Sequence, residues 1–89
     1  MAKVESIEYS ERFLKKLSRL PKRLVDVAQK KEHLFKVEPF HPSLRTHKLH
    51  GKDRGAWAFW IDYRYRVKFI FVNQNTVLFL DVGLHDIYD

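Results

Sequence analysis

The chain has 89 residues, 45% hydrophobic and 15% aromatic, with 17 Lys and Arg against 11 Asp and Glu and a net charge of +6. That composition is too apolar for intrinsic disorder, and the length supports one domain, residues 1–89, able to bury about two-thirds of its unfolded surface. Zero cysteines exclude a disulfide framework and thiolate metal sites. No apolar run approaches the roughly 20 residues of a membrane span, and MAKVESIEYS lacks the apolar core of a secretory signal, so a soluble cytoplasmic protein is expected. The surplus of positive charge favours polyanionic partners: nucleic acid, the ribosome, an acidic protein or an anionic membrane surface.

Val4 to Tyr9 alternates apolar and polar residues, as a half-buried strand does. Ser10 offers a helix N-cap with Glu11 in the first turn, and Phe13, Leu14, Leu17 and Leu20 follow at helical spacing. Pro21 suits the first turn of a second helix, whose apolar stripe is Leu24, Val27, Ala28, Leu34 and Phe35. Pro39 and Pro42 end the helical pattern. Next comes the basic stretch RTHKLHGKDRG, residues 45–55. Residues 57–62 read as a strand, and Arg64 to Val72 as another. In the latter Tyr65, Val67, Phe69 and Phe71 share one face, and Arg64, Arg66 and Lys68 the other. After the polar turn at Asn73 to Asn75, Thr76 to Val82 reads as a nearly continuous apolar, central strand. The order βααβββ predicts an α+β domain: a helical hairpin packed on one face of a mostly antiparallel four-stranded sheet.

The three cations of the second meander strand are expected on the open face, because the aromatic positions need burial. Arg66 stands out because it lies mid-strand between large side chains, where a guanidinium fork is held for bidentate contact with phosphate. Of the five histidines, His33 and His41 have no evident role. His47 and His50 lie in the basic stretch, and His85 follows Gly83 at the end of the last strand. Cleavage of RNA through its 2′-hydroxyl requires a base for that hydroxyl, a cation for the charge on the phosphorus oxygens and an acid for the departing 5′ oxygen. Imidazoles at His47 or His50 and at His85, with Arg66 between them, match those needs. Trp57 and Trp60 alternate onto opposite faces, one expected in the core and the other at a rim or as a base-stacking platform.

Three local patterns, HKLHG at 47–51 leading into GAWAFWID at 55–62, YRYRVKFIF at 63–71 and VLFLDVGLHDIYD at 77–89, together with the element order, resemble the RelE/ParE superfamily of toxins from type II toxin–antitoxin systems along essentially the whole chain. The resemblance implies a compact toxin held inactive by a cognate acidic antitoxin, monomeric when free and hetero-oligomeric with that partner, with no membrane partner. It implies a ribosome-dependent mRNA endoribonuclease that needs no metal or other cofactor. Position by position it implies Arg66 as the strand arginine on the transition-state phosphate, His47 as base, His85 as acid and Tyr88 as an aromatic that orients the RNA. Lys48 and His50 match basic phosphate-contacting positions. Arg45, Lys52, Arg54, Arg64 and Lys68 complete the expected RNA-binding set.

RelE-like enzymes carry a lysine pair on the first meander strand, where this chain reads AWAFWI; the pattern is closer to the histidine-using, YafQ-like members. The same fold also carries ParE-like inhibitors of DNA gyrase, and a non-catalytic basic binding module is a third reading.

Overall fold

The computed structural model describes residues 3–84; His85 and Tyr88 lie outside them. The elements are β1 (Ser6–Tyr9), α1 (Glu11–Leu17), α2 (Lys22–Val37), β2 (His47–Lys48), β3 (Trp57–Trp60), β4 (Tyr65–Phe71) and β5 (Thr76–Leu84), with short 3-10 turns at Pro42–Leu44 and Gly51–Asp53. They form one sheet in the order β1-β5-β4-β3-β2. β1 runs parallel to β5 and every other pairing is antiparallel. The α+β class is as the sequence predicts, with five strands rather than four. The added strand is His47–Lys48, which pairs with Ala58 and Trp57. Two residues are too few to show alternation, and only their backbone partners make them a strand.

Local chemistry sets the helices. The Ser10 hydroxyl accepts the Phe13 backbone N–H at 3.0 Å, so Ser10 caps α1. The same hydroxyl donates to the Leu80 carbonyl at 2.8 Å, which ties the start of α1 to β5. Pro21 sits just before α2 with φ −56°, and its carbonyl accepts from Leu24 and Val25. Pro39 follows the last turn and is fully buried.

Five phenylalanines, one from each of α1, α2, β3, β4 and β5, centre the core. Phe35 of α2 has no exposed surface; it stacks on Phe59 at 4.7 Å between centroids and meets Phe69 edge-on at 4.9 Å. Phe13 packs edge-on against Phe79 at 5.3 Å. Val67 and Phe69 of β4 face this layer, as the alternation requires.

The opposite face is open only in part. The segment after β2 folds back over it, with Leu49 donating its N–H to the Ala56 carbonyl at 2.9 Å. Leu49, Ala56 and Ala58 form a second small core, against which Ile70 packs. Gly51 at φ +69° and Gly55 at φ +98° supply left-handed turns that a side chain would oppose. Asp53, the acid within the basic stretch, binds Lys68 of β4 at 3.0 Å and pins the segment down.

Candidate active site

The register places His47, Lys68 and Arg66 in two adjacent rows on the face of the sheet opposite the phenylalanine core. One row reads His47, Ala58, Lys68, Asp81 on β2, β3, β4 and β5; the next reads Trp60, Arg66, Gly83 on β3, β4 and β5. Residues directly opposed in antiparallel strands share a face, so His47 lies on the face that carries Trp60 and Arg66. Gly83 pairs with Arg66 and adds no side chain beside it.

Arg66 is 7% exposed, and its guanidinium carbon lies 4.1 Å from the centroid of the Trp60 ring. Its Nη1 donates to the Asp62 carbonyl at 2.8 Å and to the Tyr65 carbonyl at 3.4 Å. Its Nε is buried without a hydrogen-bond partner, and no carboxylate among the described residues forms an ion pair with it. A buried charge of this kind is unfavourable on its own and is relieved by an anion. The guanidinium of Arg45 lies 4.9 Å from the same indole centroid. Two cations on one electron-rich ring each gain cation–π attraction, yet repel one another, a combination that suits a phosphate-sized anion.

Arg45 is exposed and adopts a left-handed backbone, φ 53° and ψ 36°, at the end of the Pro42–Leu44 turn. Its carbonyl is 2.8 Å from Nδ1 of His47. Because a carbonyl only accepts, Nδ1 of His47 carries a proton and donates. His41 shows the reverse: its Nδ1 accepts the Ser43 backbone N–H at 3.1 Å.

The remaining expected residues divide. Arg64 is exposed in the β3–β4 turn, outside the strand in which the sequence pattern put it. There the Asp62 carboxylate accepts the N–H groups of Arg64 and Tyr65, each at 2.8 Å, and closes the turn before β4 begins. Lys48 is exposed and its Nζ lies 5.8 Å from the Trp57 centroid, on the face of the sheet away from His47. His50, Lys52 and Arg54 are exposed on the folded-back segment. Lys68 sits in the His47 row, but its charge is engaged by Asp53. His85 and Tyr88 lie outside the described residues. Among those residues, no cluster of three or more His, Asp or Glu side chains is disposed to hold a metal ion.

Three carboxylates escaped sequence reasoning. Asp62 shapes the turn under Arg66, Asp53 holds Lys68, and Asp81 is 4% exposed between Lys16 at 2.9 Å and Arg12 at 3.3 Å. Asp81 follows an irregularity in β5: Lys68 pairs with Asp81 and Phe69 with Phe79, so Leu80 is the extra residue. A lone acid inside the apolar run VLFLDVG was the signal for it.

Comparison with solved structures yields many matches of the same fold. The YoeB/ParE toxin from Agrobacterium tumefaciens superposes with a TM-score of 0.74 at 15% identity over 90% of this chain and 98% of that one. The toxin-fold chain of the archaeal RelE–RelB complex from Pyrococcus horikoshii gives 0.73 at 17% identity, over 94% and 98%. A chain of the DinJ–YafQ toxin–antitoxin complex from E. coli gives 0.68 at 20% identity, over 92% and 93%. No family model matches the sequence, and no curated protein matches it. The chain therefore has the RelE/ParE toxin fold over nearly its whole length, shared at identities where sequence comparison alone finds nothing.

Proposed function

We propose that this chain is the toxin of a type II toxin–antitoxin pair and an endoribonuclease that cuts mRNA on the ribosome by attack of the 2′-hydroxyl. The observation that carries the reading is Arg66: buried, stacked on Trp60, unpaired at Nε and one row from His47 on the uncovered face. In this reading Arg66 and Arg45 neutralise charge gathering on the phosphorus oxygens, and the nucleophile is already part of the substrate. His47 takes the 2′ proton, His85 protonates the departing 5′ oxygen, and Tyr88 orients the base. Arg45, Lys48, His50, Lys52, Arg54 and Arg64 supply charge toward RNA, and Lys68 contributes once its pair with Asp53 opens.

The fold shared with RelE, YoeB and YafQ toxins, and the presence of antitoxin-type partners in the RelE–RelB and DinJ–YafQ complexes, support an acidic protein partner that masks this basic face in the cytoplasm. A reconstituted translation reaction with mapped mRNA ends tests the reading. It is expected to yield a 2′,3′-cyclic or 3′-phosphate with a 5′-hydroxyl, and Arg66→Ala lowers the rate by about 100-fold or more. Intact mRNA with the wild type, or undiminished cutting by Arg66→Ala, overturns it. Inhibited supercoiling by gyrase with intact mRNA identifies the ParE-like alternative instead.

A further inference from the structure

We infer that Arg45 is a positioning residue for His47, and that it acts through its backbone more than through its charge. The relevance of this to catalysis rests on the nuclease reading above.

Arg45 is the non-glycine residue with positive φ among those described. A side chain in that conformation is strained, a penalty that glycine would avoid. The surroundings hold it there from both sides. Upstream, the Arg45 N–H closes the 3-10 turn onto the Pro42 carbonyl at 3.2 Å. Downstream, the Thr46 hydroxyl donates to the Pro39 carbonyl at 2.6 Å. The left-handed step ends the turn, starts β2 and aims the Arg45 carbonyl at the ring of His47 two residues on.

That bond decides the chemistry of the imidazole. With Nδ1 committed as donor to a carbonyl, the neutral ring carries its lone pair on Nε2, the atom on the far side of the ring from the backbone. A base that takes a 2′ proton uses that lone pair. The opposite tautomer would put the accepting nitrogen against a carbonyl oxygen. His41, four residues before Arg45, accepts at Nδ1 and so holds its proton on Nε2. The chain thus sets opposite tautomers at two nearby histidines through the backbone groups it presents to each. The Arg45 side chain completes the arrangement by stacking on Trp60, the ring beneath Arg66. One residue therefore links the expected base to the expected phosphate cation.

The test separates backbone from side chain. Imidazole ¹⁵N–¹H correlation spectra near neutral pH report which ring nitrogen carries the proton, with His41 as an internal reference of opposite sense. In the wild type, His47 is expected as the Nδ1–H tautomer. Arg45→Gly keeps the left-handed backbone and keeps that tautomer, although cleavage falls with the lost charge. Arg45→Val opposes positive φ, shifts His47 toward Nε2–H and lowers cleavage at least about tenfold beyond Arg45→Gly, as a misdirected general base does. Equal losses of cleavage in the two variants, with His47 unchanged in both, overturn the inference. So does an Nε2–H ring in the wild type, a result that needs no variant to fold. The expected tautomers in a protein that leaves mRNA intact would support the positioning by Arg45 and overturn only the nuclease reading.

Discussion

Arg66 and Trp60 face each other across the β3–β4 ladder, with the guanidinium carbon 4.1 Å from the indole centroid. The ring helps to bury the cation, whose Nη1 donates to backbone carbonyls while its Nε is buried without a hydrogen-bond partner. Trp60 is thereby a floor for the guanidinium groups of Arg66 and Arg45 as well as a sheet residue.

Replacing that floor has a graded effect. Trp60→Phe keeps an aromatic face and is expected to retain most activity. Trp60→Leu removes the stack for both arginines, lowers stability by about 1–2 kcal/mol and lowers RNA cleavage by about tenfold or more. Denaturant titration gives the first quantity and single-turnover cleavage the second. Equal cleavage by the Phe and Leu variants would remove Trp60 from the site.

Lys68 and Asp53 hold the 49–56 segment against the sheet through a pair whose side chains are 18% and 17% exposed. Such a pair lies between surface ion pairs and fully buried ones, so a double-mutant cycle with Lys68→Met and Asp53→Leu is expected to give a coupling of about 1–2 kcal/mol. Asp53→Leu alone is expected to speed amide exchange at Leu49 and Ala56. Unchanged exchange at these amides would show that Leu49, Ala56 and Ile70 suffice to hold the segment.

Asp81 is buried, whereas its partners Lys16 and Arg12 reach solvent, with side chains 33% and 74% exposed. Removing a cation therefore strands a charge, while removing the acid strands none. Lys16→Met is expected to cost about 2–3 kcal/mol and Asp81→Leu less than about 1.5 kcal/mol, by chemical denaturation. The reverse order would show that Arg12 alone satisfies the carboxylate.

Tyr9 donates its phenolic proton to Glu32. Burial first, then that bond and the carboxylate's charge, push its pKa from 10.0 up to about 12. The folded state thus holds a proton that the unfolded chain releases near pH 10. The associated stability is complete below pH 10 and is lost as pH rises toward 12. Tyr9 is 42% exposed, so solvent screening keeps the effect modest. Thermal unfolding followed from pH 9 to 11.5 is expected to fall less steeply for Tyr9→Phe than for the wild type. Parallel slopes would place the proton elsewhere.

Periodicity made most of the scaffold legible. The Ser10 cap, the α2 stripe ending at Phe35 and the alternation through Val67 and Phe69 lead to the α+β fold because each is a repeat of local geometry that burial enforces. The same alternation put Arg66 on the uncovered face and marked it among the basic residues. Sequence spacing could not show that Arg64 falls in a turn, because the Asp62 carboxylate decides that by capping two backbone N–H groups. Nor could it show that His47 pairs beside Ala58, that Asp53 claims Lys68, or that Arg45 adopts a left-handed backbone and reaches Trp60. Those contacts join residues on different strands and loops. Their partners are chosen by sheet register and segment folding, which no residue specifies through its chain neighbours alone. Local periodicity is enough to place Arg66 on a strand, whereas its ring partner, and the strand and carbonyl partners of His47, follow from long-range register and segment folding.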